Sequence, residues 1–286
     1  MRSIPFLILL TGFLAFAPYQ GNAESAKTYD NPGKMKSTLQ AVRARGKLIA
    51  GVINKEPPLG FVDKDGVLKG LEVDLAAVLA RKIFSKEGRV ELVPAPIGKW
   101  VDLLKSGKID ILLAPVFISE DQRREIDYSI PCFVSGGLIL VEKDSKIKTP
   151  QELAEKTVAT IRGTMGETMI RESLPKSKPV LFPNNADALR ALKEHKVDAF
   201  AQLDIFVFYM EEKDKSLGVV DLKPFAPSPI RLGVRKGDKE WRDFVDIELL
   251  EMMTTGEYRK LLDKWFGRIR GEFLERSLKN EIRRER

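Results

Sequence analysis

The stretch GLEVDLAAVLARKI, Gly70–Ile83, decides how the chain is read. Leu71, Leu75, Leu79 and Ile83 recur every four residues, with Val78 and Ala80 beside them. That spacing predicts an amphipathic helix with one apolar face. Two acids, Glu72 and Asp74, stand two residues apart at its start. On a helix, residues two apart point about 200° away from one another, so this pair cannot share a catalytic site. Acids in a first turn instead oppose the positive end of the helix dipole.

On either side of this helix, strand and helix signals alternate. Before it, STLQAVRARGKLIAGVI predicts a short helix capped by Ser37 or Thr38, a turn at Gly46 and a strand over Leu48–Ile53. After it come a strand near Val90–Val93, a helix around Lys99–Lys105 and a nearly all-apolar strand, Ile109–Val116. A strand of that composition is buried on both faces, as in a parallel sheet. The same order returns with strands at Thr157–Ile161, Val180–Phe182 and Val197–Gln202 and helices at Gly166–Leu174 and Ala186–Glu194. Two extended segments, Gly136–Ser145 and Pro227–Asp238, flank this second run. The alternation predicts a parallel α/β architecture, and the two crossings predict two lobes joined by a two-stranded hinge. A cleft between lobes is the expected ligand site.

The composition restricts the function classes. With 286 residues, 43% hydrophobic and 31% charged, the chain is long enough for two cores. The net charge of +7 comes from bases interspersed with acids, which favours a solvated surface over nucleic-acid binding. MRSIPFLILLTGFLAFAPYQGNA has a basic start, an apolar run and a small-residue ending. It reads as a signal peptide, residues 1–23, cleaved after Ala23 to leave a protein in the periplasm. Cys132 is the single cysteine, so no intramolecular disulfide forms, and it reads as packing rather than as a nucleophile. His195 is the single histidine and stands where a helix end usually has glycine; no metal or cofactor is expected. The last segment, RIRGEFLERSLKNEIRRER from Arg268 to Arg286, reads as a charged helix, either a solvated extension or a contact for an anionic surface.

Between about Lys47 and Gly267 the chain resembles bacterial solute-binding protein family 3, the periplasmic receptors of polar amino-acid ABC importers. The resemblance runs in order through GVINKEPPLGF, GLEVDLAAVLARKI, LLKSGKIDILLA, IDYSIP, LGVRKGD and GEYRKLLDKWFG. It implies a two-lobed Venus-flytrap fold, type II-like, without catalysis. Ligand enters an open cleft, the hinge closes, and the closed monomer docks on a membrane ABC permease. The expected division is 24–45 as linker and short helix, 46–137 with 228–267 as lobe 1, 138–227 as lobe 2 and 268–286 as a charged tail.

The same resemblance locates the site and shows where the chain departs from the family. The family's residues for the ligand α-amino and α-carboxylate groups fall in register at Pro115, Phe117 and Gln122, and none matches. Ser119 and Gln122 form a local capping box instead, and Arg123 sits one residue late. In IRGTMGE, Gly163 and Thr164 fit the family's carboxylate loop. The acid expected near the ligand ammonium falls at Leu203, with Asp204 one place late, so Asp204 belongs to the site only if the strand has already ended. The candidate ligand-binding residues are Glu56, Trp100, Phe117, Gln122, Arg162, Thr164 and Asp204. Trp100 and Phe117 read equally as core, Arg162 as a surface partner of Glu167, and Glu56 as solvent-facing. The expected function is a receptor for a small polar solute, amino-acid-like or an organic acid, not held as a standard α-amino acid usually is. Two alternatives stay open: a periplasmic dehydratase-type enzyme on the same fold, and a partner or sensor protein without a ligand.

Overall fold

The computed structural model describes residues 37–85, 89–96, 98–116, 124–221 and 223–285. The expected leader and linker, together with Phe117, Ser119, Gln122 and Arg123, lie outside these residues. No helix among the described residues is long and apolar enough to cross a membrane.

The first elements are α1 (Thr38–Arg45), β1 (Lys47–Val52), β2 (Lys55–Glu56), β3 (Gly60–Val62), β4 (Leu68–Lys69), α2 (Leu71–Phe84), β5 (Arg89–Pro94), α3 (Trp100–Lys105) and β6 (Ile111–Val116). A long strand, β7 (Ile126–Glu142), leads out of this half. The second half holds β8 (Thr157–Ile161), α4 (Met165–Ser173), β9 (Lys178–Phe182), α5 (Asn185–Lys193), β10 (Ala199–Leu203), α6 (Asp204–Lys213) and β11 (Leu217–Val219). The chain returns along β12 (Phe225–Arg235) and ends in α7 (Lys239–Thr255) and α8 (Glu257–Arg284).

Strand pairing runs β5-β1-β6-β12-β7-β10-β8-β9, with β11 on the side of β7. β1 pairs in parallel with β5 and β6, and β8 pairs in parallel with β9 and β10. β7 and β12 lie between these two groups and run antiparallel to each other. Two parallel α/β halves are therefore joined by two crossing strands, as the alternation of signals predicts.

Local chemistry explains the start of α2. Leu71 N and Glu72 N donate to Pro58 O and Leu59 O at 2.9 Å, so the first turn is satisfied by the preceding loop. Gly70 permits this approach. Its φ is +144°, and a Cβ there would lie 2.0 Å from Leu59 O. The two acids differ from the expectation of charges facing the dipole. Glu72 is 3% exposed, and its Oε2 accepts from Ile53 N at 2.8 Å, tying the helix to the end of β1. Burial pushes its carboxyl well above the usual carboxylate range. Asp74 accepts from Lys264 Nζ at 2.7 Å and Trp265 Nε1 at 2.8 Å, anchoring α8.

The segment from Arg268 is not a solvated extension. It continues α8 beyond a break at Gly267 (φ 73°, ψ 158°) and buries Leu274 and Leu278. Cys132 is buried, and desolvation pushes its thiol up to about 12, so it acts as packing. His195 follows α5 with φ +53°, the left-handed conformation that glycine usually supplies.

Replacing Glu72 by Ala removes the acceptor of Ile53 N, a loss worth about 1–3 kcal/mol for an orphaned backbone donor. Glu72→Gln keeps a carbonyl acceptor and is expected to cost clearly less. Urea midpoints of the two variants check this. Equal losses would show that the bond to Ile53 is not what holds the helix start.

Candidate functional site

The site is built from short segments at strand ends. Glu56 lies on β2, just ahead of Pro57 and Pro58, and is half-buried. Asn185 opens α5, directly after the cap residue Asn184, whose side chain accepts from Asp187 N at 2.9 Å. These two meet between the halves of the fold: Asn185 Nδ2 donates to Glu56 Oε2 at 3.1 Å. Behind Asn185, Gln202 on β10 donates from Nε2 to Asn185 Oδ1 at 2.7 Å and accepts from Leu203 N at 2.8 Å. Gln202 is thus held by the backbone and fixes which end of the Asn185 amide faces Glu56. Burial pushes the Glu56 carboxyl up, and the Asn185 hydrogen bond partly opposes that rise.

The remaining candidates lie elsewhere. Trp100 is 8% exposed, donates from Nε1 to Ala95 O at 2.8 Å and packs with Leu104, Ile109, Leu112 and Ile126. It is a core residue, because its indole fills the space under α3 and its one donor is satisfied internally. Arg162 follows β8 with an exposed side chain, while its backbone N donates to Phe182 O at 3.0 Å. Glu167, its expected partner, accepts instead from Gly163 N at 2.8 Å. Thr164 precedes α4 and donates from Oγ1 to Ile161 O at 2.7 Å, so its proton points back into the turn. Phe117 and Gln122 fall outside the described residues.

β10 ends at Leu203, so the condition set for Asp204 is met. Its carboxylate nevertheless faces the crossing strand. Ser135 Oγ donates to Oδ1 at 2.6 Å, Ile205 N to Oδ1 at 2.7 Å and Gly136 N to Oδ2 at 3.4 Å. At 1% exposure neither oxygen is open to a solute in this arrangement, because both serve to fasten α6 to β7. Leu203, at the position of the family's usual acid, is buried.

The structure therefore gathers Glu56 with Asn185 and Gln202, two residues that sequence reasoning missed. Asn185 lies just ahead of the helix expected at Ala186–Glu194, and Gln202 is the last residue of the strand expected at Val197–Gln202. A polar residue in the otherwise apolar run AFAQL was the available signal. Chemically, the cluster presents an acceptor on one side of the cleft and an oriented amide on the other. That pair suits a solute end carrying N–H donors, or one with both donors and acceptors. No group of three or more potential metal-ligating side chains occurs among the described residues.

Comparison with known proteins agrees with this architecture. The model of the bacterial extracellular solute-binding proteins, family 3, matches residues 48–268. The ABC transporter glutamine-binding protein GlnH of Bacillus subtilis (strain 168) is 28% identical over 267 residues, covering 93% of this chain and 97% of that protein. An ancestral cationic amino acid solute-binding protein of known structure is 34% identical with a TM-score of 0.74, covering 80% of this chain and 100% of that one. A structure described as an ancestral amino acid-binding protein, a precursor of cyclohexadienyl dehydratase, is 32% identical with a TM-score of 0.66, covering 80% and 99%.

Asp204 gives the fold a pH signature. Burial pushes its carboxyl up to about 7, from 3.8 when solvated. The folded state then binds more protons at this group than the unfolded state between these values, so the contribution of Asp204 to stability is full below about pH 4 and is lost as pH rises towards 7. Asp204→Asn is expected to flatten that slope. Melting temperatures of parent and variant between pH 4 and pH 8 check this, and identical slopes would contradict it.

Proposed function

The chain belongs to the bacterial extracellular solute-binding proteins, family 3, and from that premise we propose that it is the receptor of an ABC importer for an amino-acid-like solute. The solute is held between the two halves, and its polar end is read by Glu56, Asn185 and Gln202. The observation that carries this reading is the Glu56–Asn185 hydrogen bond, which joins an element of each half at the expected cleft. A solute with an amide or cationic end can replace Asn185 as the donor to Glu56, while the freed Asn185 Nδ2, held in orientation by Gln202, donates to an acceptor of the solute. Relatives named for glutamine and for cationic amino acids support that choice of end group.

On this reading Arg162 and the Gly163–Thr164 turn ahead of α4 meet the solute's acidic end. Gly163 has φ +72°, and Thr160 beneath the turn is buried with no partner for its hydroxyl. A Cβ on Gly166 would lie 2.5 Å from that hydroxyl, so only glycine fits at this point of the helix start. A helix N-terminus favours an anion. The protein acts in the periplasm after loss of residues 1–23 and meets a membrane permease as a closed monomer. Closure is a population shift, limited by the solute's differential affinity for the closed form. Glu56 is the one acid of the cluster, and Asp204 is tied to the crossing strand. The relatives named as glutamine- and cystine-binding proteins favour binding over a dehydratase activity.

Thermal melting with a panel of amino acids, their amides, amines and small carboxylic acids tests the reading. A solute at about 100 times its Kd stabilises by roughly 2.7 kcal/mol. The expected hit carries an N–H-bearing end, and Glu56→Gln is expected to weaken a cationic hit by about one to two orders of magnitude. A panel in which no amino-acid-like compound raises the melting temperature would overturn the reading. So would a cationic hit indifferent to Glu56→Gln.

A further inference from the structure

The helix that follows Gly267 begins where the family match ends, at residue 268, yet it packs against both halves of the fold. Gly271, Leu274 and Leu278 are buried along one face, and Ile282 packs beside the same core, the three-and-four spacing of a docked helix.

Its contacts divide between the halves. Towards the second half, Arg270 forms a forked pair with Glu211 of α6, with Nε to Oε2 at 3.0 Å and Nη2 to Oε1 at 2.9 Å. The same guanidinium lies 4.9 Å from the centre of the Phe208 ring, and Phe273 meets Phe208 edge-on with ring centres 5.6 Å apart. Both partners of the ion pair are largely shielded from solvent, the setting in which a forked Arg–carboxylate pair holds geometry. Towards the first half, Glu275 accepts from Arg259 Nη1 at 3.4 Å, and Arg259 Nη2 donates to Arg268 O at 2.9 Å. At its far end Glu285 pairs with Arg231 of β12, whose Nη1 also donates to Ser129 O on β7 at 2.9 Å.

We propose that residues 268–285 are a strap that holds α6 of the second half to β12 and α8 of the first, favouring the arrangement in which Glu56 and Asn185 meet. All these bonds coexist with the Glu56–Asn185 contact. A rotation that carries α6 away from β12 and the start of α8 breaks the Arg270 fork or the Glu285 pair. The strap therefore contributes differential contacts to the closed arrangement before any solute is present. A receptor whose competent form is already more populated binds its solute with a smaller loss of apparent affinity.

The test uses the full chain without solute, so its outcome does not depend on what the cleft binds. Spin labels at Lys64→Cys on the β3–β4 turn and Ala186→Cys in the first turn of α5, both exposed, report the separation of the halves, with buried Cys132 left in place. Glu211→Gln and Arg270→Gln are each expected to shift the distance distribution to longer values by several ångströms. The exchange Glu211→Arg with Arg270→Glu is expected to move it back towards the parent's. Truncation after Gly267 is expected to shift it further in the same direction, and if that variant fails to fold the point variants still decide. A distribution unchanged in the point variants, even with a lowered melting temperature, would show a brace that only adds stability and would overturn the proposal. A shift to shorter distances would overturn it as well.

Discussion

The bond from Ile53 N to the buried carboxyl of Glu72 holds the first half together, because three separate segments converge on it. It closes the end of β1. It fixes the start of α2, whose first two N–H groups are bound by the loop that carries Glu56 into the cleft. Two residues further, about half a turn round the helix, Asp74 receives Lys264 and Trp265 from α8. A carboxyl so deeply buried is costly to desolvate, and it is kept because the backbone donor has no other partner at that corner. Loop, strand and helix therefore share one point of attachment, and the C-terminal helix is held separately at Asp74 on the other side of α2.

The crossing strands play the matching role for the second half. β7 and β12 pair along most of their lengths, and Asp204 binds β7 at Ser135 and Gly136. α6 thus starts from the hinge itself, so a movement of the crossing strands is passed directly to the helix that carries Phe208 and Glu211. Mostly apolar packing continues without interruption from β1 through the crossing strands to α6, which leaves few polar points at which the halves are specifically joined. Glu56–Asn185 and Arg270–Glu211 are two of them.

Much of this was legible in the sequence wherever one element supplies its own signal. Thr157–Ile161 is a strand with the expected bounds, because a short β-branched run buried in a parallel sheet needs no distant information. Ile109–Val116 begins two residues later than its composition suggests, since Asp110 turns its carboxylate to Ile49 N instead of extending the strand. The cleft was less legible. Glu56 could be named from its place beside the two prolines, but its amide partner comes from a helix start far along the chain, and nothing local distinguishes Asn185 from an ordinary cap neighbour. Asp204 illustrates the same limit: whether β10 had ended before it was left open by the spacing, and the direction of the carboxylate depends on Ser135. The stripe Gly271, Leu274, Leu278 and Ile282 was visible among the charges, yet only the surface formed by α6 and the start of α8 makes it a buried face.

Gly267 turns the last helix into a lever. At about 1.5 Å per residue, the helix from Arg268 to Arg284 is roughly 25 Å long, so a 10° change in the one left-handed torsion displaces its tip by about 4 Å. That exceeds the reach of a hydrogen bond. The meeting of Glu285 with Arg231 is consequently set by a backbone angle at the opposite end of the helix. A side chain at position 267 would lie 3.2 Å from Glu212 in a conformation that L-residues rarely adopt, so the aim of the whole arm rests on a residue with no side chain.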